Sequence, residues 1–250
     1  SAVINEDFER EEIVESIVAR NIATWQEEGY IPEMEIEVGG PPRYQGRDLI
    51  IARGWSCWHH LFNPRQLLQF ALIRKIGVAK GNLLALGFSS ALSWNSRLCS
   101  WDSSDKGREG PKNVFTNQAL NTIYNYGCRS SYSLHRFAFP DYPESEVPRI
   151  SSNVKSIPSW DLETVCTNWI TDPPYADAVM YHEITEFFIA WLRKNPPPPF
   201  NEWTWDSRRD LAIKGSGDDF RSAMVGAYKA MTEHMPDNGM QCVMFTHQDT

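Results

Sequence analysis

The chain has 250 residues, 42% of them hydrophobic, enough to bury a core as one large domain or two modest ones. No apolar run approaches the roughly 20 residues that span a bilayer, and Ser1 to Asp7 lack the basic and apolar regions of a signal peptide, so a cytoplasmic protein with no membrane partner is expected. The net charge of -8 argues on average against a phosphate-rich partner, but residues 1 to 42 hold eleven acidic side chains against two basic, whereas residues 43 to 100 hold eight Lys and Arg against Asp48 alone.

Ile13, Ile17, Ile22 and Trp25 recur near helical spacing among acidic residues, which predicts a surface helix from Phe8 to about Gln26, stopped at Gly29. Residues 31 to 48 carry Pro32, Gly39-Gly40-Pro41-Pro42 and Gly46 and read as a loop or linker. Asn63-Pro64 marks a helix start, with Asn as N-cap and Pro in the first helical position, and the helix runs through Leu67, Leu68, Ala71 and Leu72 to Gly77. A further helix is expected at Gly81 to Leu92. Residues 93 to 160, rich in Ser, Asn, Tyr and Pro, are expected to hold short helices and irregular segments. Thr164 to Thr171 then reads as a strand, Val179 to Lys194 as a helix and Pro196 to Pro199 as a stiff polyproline spacer. Asp218 to His234 sets Phe220, Met224, Ala227, Tyr228 and Met231 on one helical face, capped by Ser216 or Asp218. After the turn Pro236-Asp237-Asn238-Gly239, Met240 to Phe245 is apolar enough for a strand buried on both faces, as in parallel sheets.

The order strand, helix, helix, strand predicts a doubly wound α/β sheet. A centrally buried strand needs neighbours on both sides, so the chain is expected to be a segment of a larger protein; the alternative is that Met240 to Phe245 is an edge strand, which fits its composition less well. Three regions follow: an acidic helix and linker over 1–42, a mainly helical basic region over 43–155, and an α/β region over 156–250. Cys57, Cys99, Cys128, Cys166 and Cys242 are scattered without a Cys-x-x-Cys pair, which favours reduced, mostly buried thiols over a disulfide framework or a zinc ribbon.

Thr171-Asp172-Pro173-Pro174-Tyr175 carries the chemistry, at the carboxyl end of a predicted strand, where open α/β sheets bind ligands. Methylating the exocyclic nitrogen of adenine requires a site that localises a lone pair delocalised into the ring. Acceptors on both amino hydrogens do this and offset the charge that develops as the nitrogen attacks a sulfonium methyl group. The Asp172 carboxylate supplies one acceptor. The Pro173 carbonyl, held by a stiff Pro-Pro unit, supplies the other, and the ring of Tyr175 offers a stacking face for a base taken out of the duplex. The competing reading of the tetrapeptide is a surface turn.

This segment, with Met180-Tyr181-His182-Glu183 and Glu186-Phe187-Phe188-Ile189-Ala190-Trp191-Leu192, resembles the catalytic segment of large prokaryotic adenine-specific DNA methyltransferases. Residues 53–68, Asn95-Ser96-Arg97-Leu98-Cys99, Asn117-Gln118-Ala119-Leu120-Asn121 and Val243-Met244-Phe245-Thr246-His247 are similar to other segments of that family. The resemblance implies a partial Rossmann-like methyltransferase fold with a mainly helical N-terminal insert, DNA as partner, S-adenosylmethionine as methyl donor, and a target-amine loop at Asp172, Pro173, Pro174 and Tyr175. The family's Gly-rich cofactor turn is not found; Gly215-Ser216-Gly217 is the nearest candidate, and the residues before it make a poor strand. The cofactor-binding residues are therefore expected in the remainder of a longer polypeptide. The basic stretch would then lie where such enzymes carry a target-recognition domain, with Arg53, Arg65 and Arg97 as candidate DNA contacts.

Trp55, Trp58 and Phe62 read as core. No metal is expected at His59-His60, because neighbouring residues project differently and no further ligand converges on them in sequence. His247 either faces the cleft or is a satisfied loop histidine. Alternatives to the adenine methyltransferase are an RNA guanine or protein amide methyltransferase, or a non-catalytic DNA-binding or assembly module.

Overall fold

A computed structural model describes residues 4–36, 50–77, 82–102, 110–115, 153–155, 157–173, 181–206, 213 and 217–244. The chain is mixed α/β and divides into two compact units, one of residues 1–149 and 184–206, the other of residues 150–183 and 207–250.

In the first unit α1 (Asn5–Glu27) starts three residues before the expected Phe8, where the Asp7 carboxylate accepts the Ile4 N–H at 3.1 Å. It ends as expected at Gly29, whose φ of 78° belongs to the left-handed region. The Gly29 N–H donates to the Gln26 carbonyl at 3.2 Å and the Tyr30 N–H to the Trp25 carbonyl at 2.7 Å, a Schellman closure. α2 (Pro64–Gly77) begins at the predicted Asn63-Pro64, and the cap is reciprocal. Asn63 Oδ1 accepts the Gln66 N–H at 2.9 Å, and Gln66 Oε1 accepts the Asn63 N–H at 3.0 Å. α3 (Asn82–Trp94) follows, then a short antiparallel pair, β1 (Trp101–Asp102) with β2 (Gly110–Pro111).

The core of this unit is aromatic. Trp58, which opens a 3-10 turn (Trp58–Leu61), Phe62 just after it, Phe70 of α2 and Phe88 of α3 meet Phe187 and Trp191 of α4 (Tyr181–Leu192). The Phe62 ring centroid lies 5.0 Å from that of Trp191 and 5.6 Å from that of Phe70, and Phe70 lies 5.5 Å from Phe88. These rings meet edge to face, an arrangement worth about 0.5–1.5 kcal/mol per pair beyond the area buried.

The C-terminal ends of α1 and α4 are tied to each other. Buried Arg74 donates from Nη2 to the Lys194 carbonyl at 2.8 Å and packs against the Phe88 ring. Lys194 Nζ donates to the Gln26 carbonyl at 3.0 Å, and Asn195 Nδ2 donates to the Glu28 carbonyl at 2.9 Å. Cations at the carbonyl ends of two helices also offset both helix dipoles. Burial lowers the Arg74 pKa to about 10, which leaves it charged at neutral pH.

In the second unit β3 (Asn168–Thr171) and β4 (Met240–Val243) pair in parallel, Asn168 opposite Met240 and Thr171 opposite Val243. Between them in sequence, α5 (Asp218–Glu233) packs on one face of the pair, where Gln241 Nε2 donates to Met231 Sδ at 3.3 Å. Side chains alternate across a strand, so Asn168, Ile170, Met240 and Cys242 share the other face. That face is open: Ile170 is 72% and Met240 63% exposed.

Several expectations are corrected here. The first strand is shorter than Thr164 to Thr171, because the Cys166 N–H turns to the His234 carbonyl beyond α5, and the ladder starts only where Met240 N–H meets the Thr167 carbonyl. β4 is not buried on both faces: Met240, Cys242 and Val243 are exposed, and among the described residues one helix packs on the pair; Phe245 lies outside the described residues. At Pro196 to Pro199 a turn closed by Phe200 N–H on the Pro197 carbonyl, at 2.8 Å, replaces the polyproline spacer. The residue before α5 is Gly217, without a side-chain cap. Of the described cysteines, all free, Cys99 alone is buried. Among the described residues no helix is long and apolar enough to cross a membrane.

Two substitutions test the helix tie. A Cβ on Gly29 would sit 2.6 Å from Lys194 Cβ at a left-handed φ, so Gly29→Ala is expected to destabilise by roughly 1–3 kcal/mol. Arg74→Met removes charged donors from buried carbonyls and is expected to cost roughly 2–3 kcal/mol. Both are read as a lower urea midpoint at unchanged slope.

Candidate functional site

Asp172 is the first residue after β3 and is exposed, with Pro173 half-buried beside it. Because β4 runs parallel to β3, both strands end on the same side, and the Met244 N–H donates to the Thr171 carbonyl at 2.8 Å at the last rung of the ladder. Asp172 thus stands where open parallel sheets receive ligands. Just before it, the Thr171 hydroxyl is buried without a hydrogen-bond partner. A carboxylate and the following carbonyl at a strand end form a two-acceptor group suited to an amine. Pro174, Tyr175 and His247 lie outside the described residues.

The three arginines separate. Arg65 of α2 is ion-paired with Glu11 of α1. Arg53 and Arg97 both stand over the Trp55 indole, their guanidinium carbons 5.6 and 5.5 Å from the ring centroid. Local chain geometry produces this meeting. A helical turn over residues 50–52 closes at Gly54, φ 78°, with the Gly54 N–H on the Ile51 carbonyl and the Trp55 N–H on the Ile50 carbonyl. Gly54 thereby turns the chain between Arg53 and Trp55. The Arg97 N–H donates to the Leu61 carbonyl at 2.8 Å, which returns a segment from beyond α3 to the same place. Trp58 and Phe62 are buried in the core, whereas Trp55 is half-buried.

Cys57, His59 and His60 also converge, with ligand-type atoms within 4.8 Å of one another, a juxtaposition that their positions in sequence do not reveal. His60 Nδ1, however, accepts the N–H groups of Ser56 at 3.1 Å and Cys57 at 3.2 Å. Its proton therefore sits on Nε2, and the imidazole is arranged as a cap for the 3-10 turn rather than as a ligand. Burial, helped by the charge of His60, lowers the His59 pKa to about 4. Burial and the Arg97 guanidinium also lower that of His60.

For S-adenosylmethionine the described residues do not make a fit. Gly215 and Ser216 lie outside them, Gly217 precedes α5, and no described strand leads into it. Comparison with protein-family models, with curated proteins and with solved structures gives no match.

The lowered pKa of His59 has a pH consequence. Between about pH 6.5 and about pH 4 the unfolded chain binds more protons than the folded one, so stability is full above that window and falls as pH drops through it. His59→Gln is expected to flatten this dependence, read as urea midpoints between about pH 7.5 and about pH 4.5.

Proposed function

We propose that Asp172-Pro173-Pro174-Tyr175 holds the exocyclic amine of an adenine in DNA for methyl transfer from S-adenosylmethionine. The observation that carries the proposal is the position of Asp172 at the carboxyl end of one parallel strand, beside the end of another. In this reading β3 and β4 belong to a doubly wound, Rossmann-like sheet. Asp172 accepts one amino hydrogen and the Pro173 carbonyl the other, so the nitrogen lone pair becomes available as charge develops. Tyr175 stacks on the base. The methyl donor supplies the transferred group, and in this reading a turn in a longer polypeptide binds it.

The proposal is tested with labelled S-adenosylmethionine offered together with DNA, RNA or protein. Label is expected in the adenine amine of DNA. Label in RNA guanine or in a protein amide would transfer the same chemistry to another planar amine. Asp172→Ala is expected to lower transfer about a hundredfold or more at unchanged thermal stability, because one acceptor at the developing charge is lost. Normal transfer by that variant would refute the role of Asp172.

A further inference from the structure

The His60 imidazole holds two backbone N–H groups on one nitrogen: Nδ1 accepts from Ser56 at 3.1 Å and from Cys57 at 3.2 Å. A neutral imidazole has a single acceptor nitrogen, and that nitrogen is also the atom that takes the next proton. His60 therefore cannot become a cation and keep these bonds. The residues it holds form one side of a short antiparallel bridge. Ile36 N–H donates to the Ser56 carbonyl at 2.7 Å and Trp58 N–H to the Met34 carbonyl at 3.1 Å, which makes Glu35 and Cys57 the facing pair without a mutual hydrogen bond. In such a pair the N–H groups point away from the partner segment, and that of Cys57 is met by His60.

The groups around the ring add to the effect of a proton. The His59 ring centroid lies 4.2 Å from that of His60, and Arg97, which shares the Trp55 indole with Arg53, places a cation nearby. The Cys57 sulfur lies within 4.8 Å of a nitrogen of each imidazole. From α1 the neutral Gln26 amide reaches His59 Nδ1 at 3.4 Å, and Glu35, the acidic residue of the bridge, is exposed. Burial and then the Arg97 charge lower the His60 pKa, so the neutral ring is favoured in the folded chain. The cap is complete above about pH 6.5 and is lost as pH falls through the lowered value. Trp58 and Leu61 anchor one end of the turn in the core, whereas Ser56 at the other end is exposed, so the exposed end opens first.

We infer that His60 is a proton-operated latch: a proton taken up at Nδ1 releases the Ser56 and Cys57 N–H groups and loosens the bridge between residues 34–36 and 56–58 while the aromatic core stays packed. This goes beyond the methyl-transfer reading and does not depend on it.

The test is NMR on the full chain between about pH 7.5 and about pH 4.5, a range in which folded His59, with a pKa of about 4, stays mostly neutral. At the upper end His60 is expected to carry its proton on Nε2, with Nδ1 bare, and the Cα protons of Glu35 and Cys57 are expected to give a strong cross-bridge contact. On acidification, protonation of Nδ1 is expected to coincide with loss of most of that contact, while contacts between the Phe62 and Trp191 rings persist. His60→Gln supplies an acceptor that does not titrate and is expected to keep the bridge across the whole range. His59→Gln is expected to keep the switch. A bridge contact that persists over the whole range, with His60 neutral or protonated, would overturn the inference, and so would a resting tautomer with the proton on Nδ1. Loss of the ring contacts together with the bridge would also overturn it, because acid would then unfold the unit instead of opening one end of a turn. An unchanged pH response in His60→Gln, or its disappearance in His59→Gln, would assign the response to a group other than His60.

Discussion

A buried guanidinium at the meeting of two helix ends is the constraint on which the first unit depends. Helix C-termini carry carbonyls without intrahelical partners, and burying two such ends side by side is costly unless donors reach them. Arg74 supplies donors from α2, and Lys194 and Asn195 supply them from the chain leaving α4. Gly29 makes the approach sterically possible. With these ends fixed, the aromatic side chains of α4 enter the space between α2, α3 and the 3-10 turn, where Phe62 and Trp191 come within 5.0 Å. The polar tie sets which helices are neighbours, and the rings pack with the buried Ile, Leu and Val side chains of the same core.

The same packing brings Arg53, Trp55 and Arg97 together. Trp58 and Phe62 are pinned in the core, so the chain just before them has a fixed origin, and Trp55 emerges from it at a defined place. Arg97 reaches the same place through a backbone hydrogen bond to Leu61, within the core-facing turn. A surface charge cluster is therefore supported by buried groups, and its geometry does not rest on exposed side chains alone. The histidines beside it are kept neutral near pH 7 by burial, so they contribute shape and hydrogen bonds rather than charge.

The sequence was most legible where the controlling information is local. Gly29, Asn63-Pro64 and the periodic apolar residues of five helices mark their own boundaries to within a few residues, because caps and helical faces are short-range features. Trp58 and Phe62 were recognisable as core for the same reason. Burial of β4 was not legible: apolar composition shows what a strand prefers to touch, not whether a second layer covers it. Nor was the separation of the three arginines. In sequence they are alike, and only the folded chain brings Glu11 to Arg65 and Arg97 to Trp55 across many residues. The convergence of Cys57 with His59 and His60 was hidden in the same way, since a 3-10 turn folds back residues that an extended chain would direct apart. At the candidate amine site, the position of Asp172 after a strand was readable from the apolar run before it, but the true strand start depended on a hydrogen bond from Cys166 to the far end of a distant helix.

The parallel pair β3–β4 carries Asp172 at its tip while one of its faces, with Ile170 and Met240, lies open to solvent. A strand pair only four residues long has few rungs with which to resist fraying, and apolar groups left in water contribute nothing to holding it. The carboxylate is therefore only as well placed as the rungs behind it. Any layer laid over that open face would, by mass action, also steady the tip, so completion of the sheet and readiness of the acceptor group are thermodynamically linked.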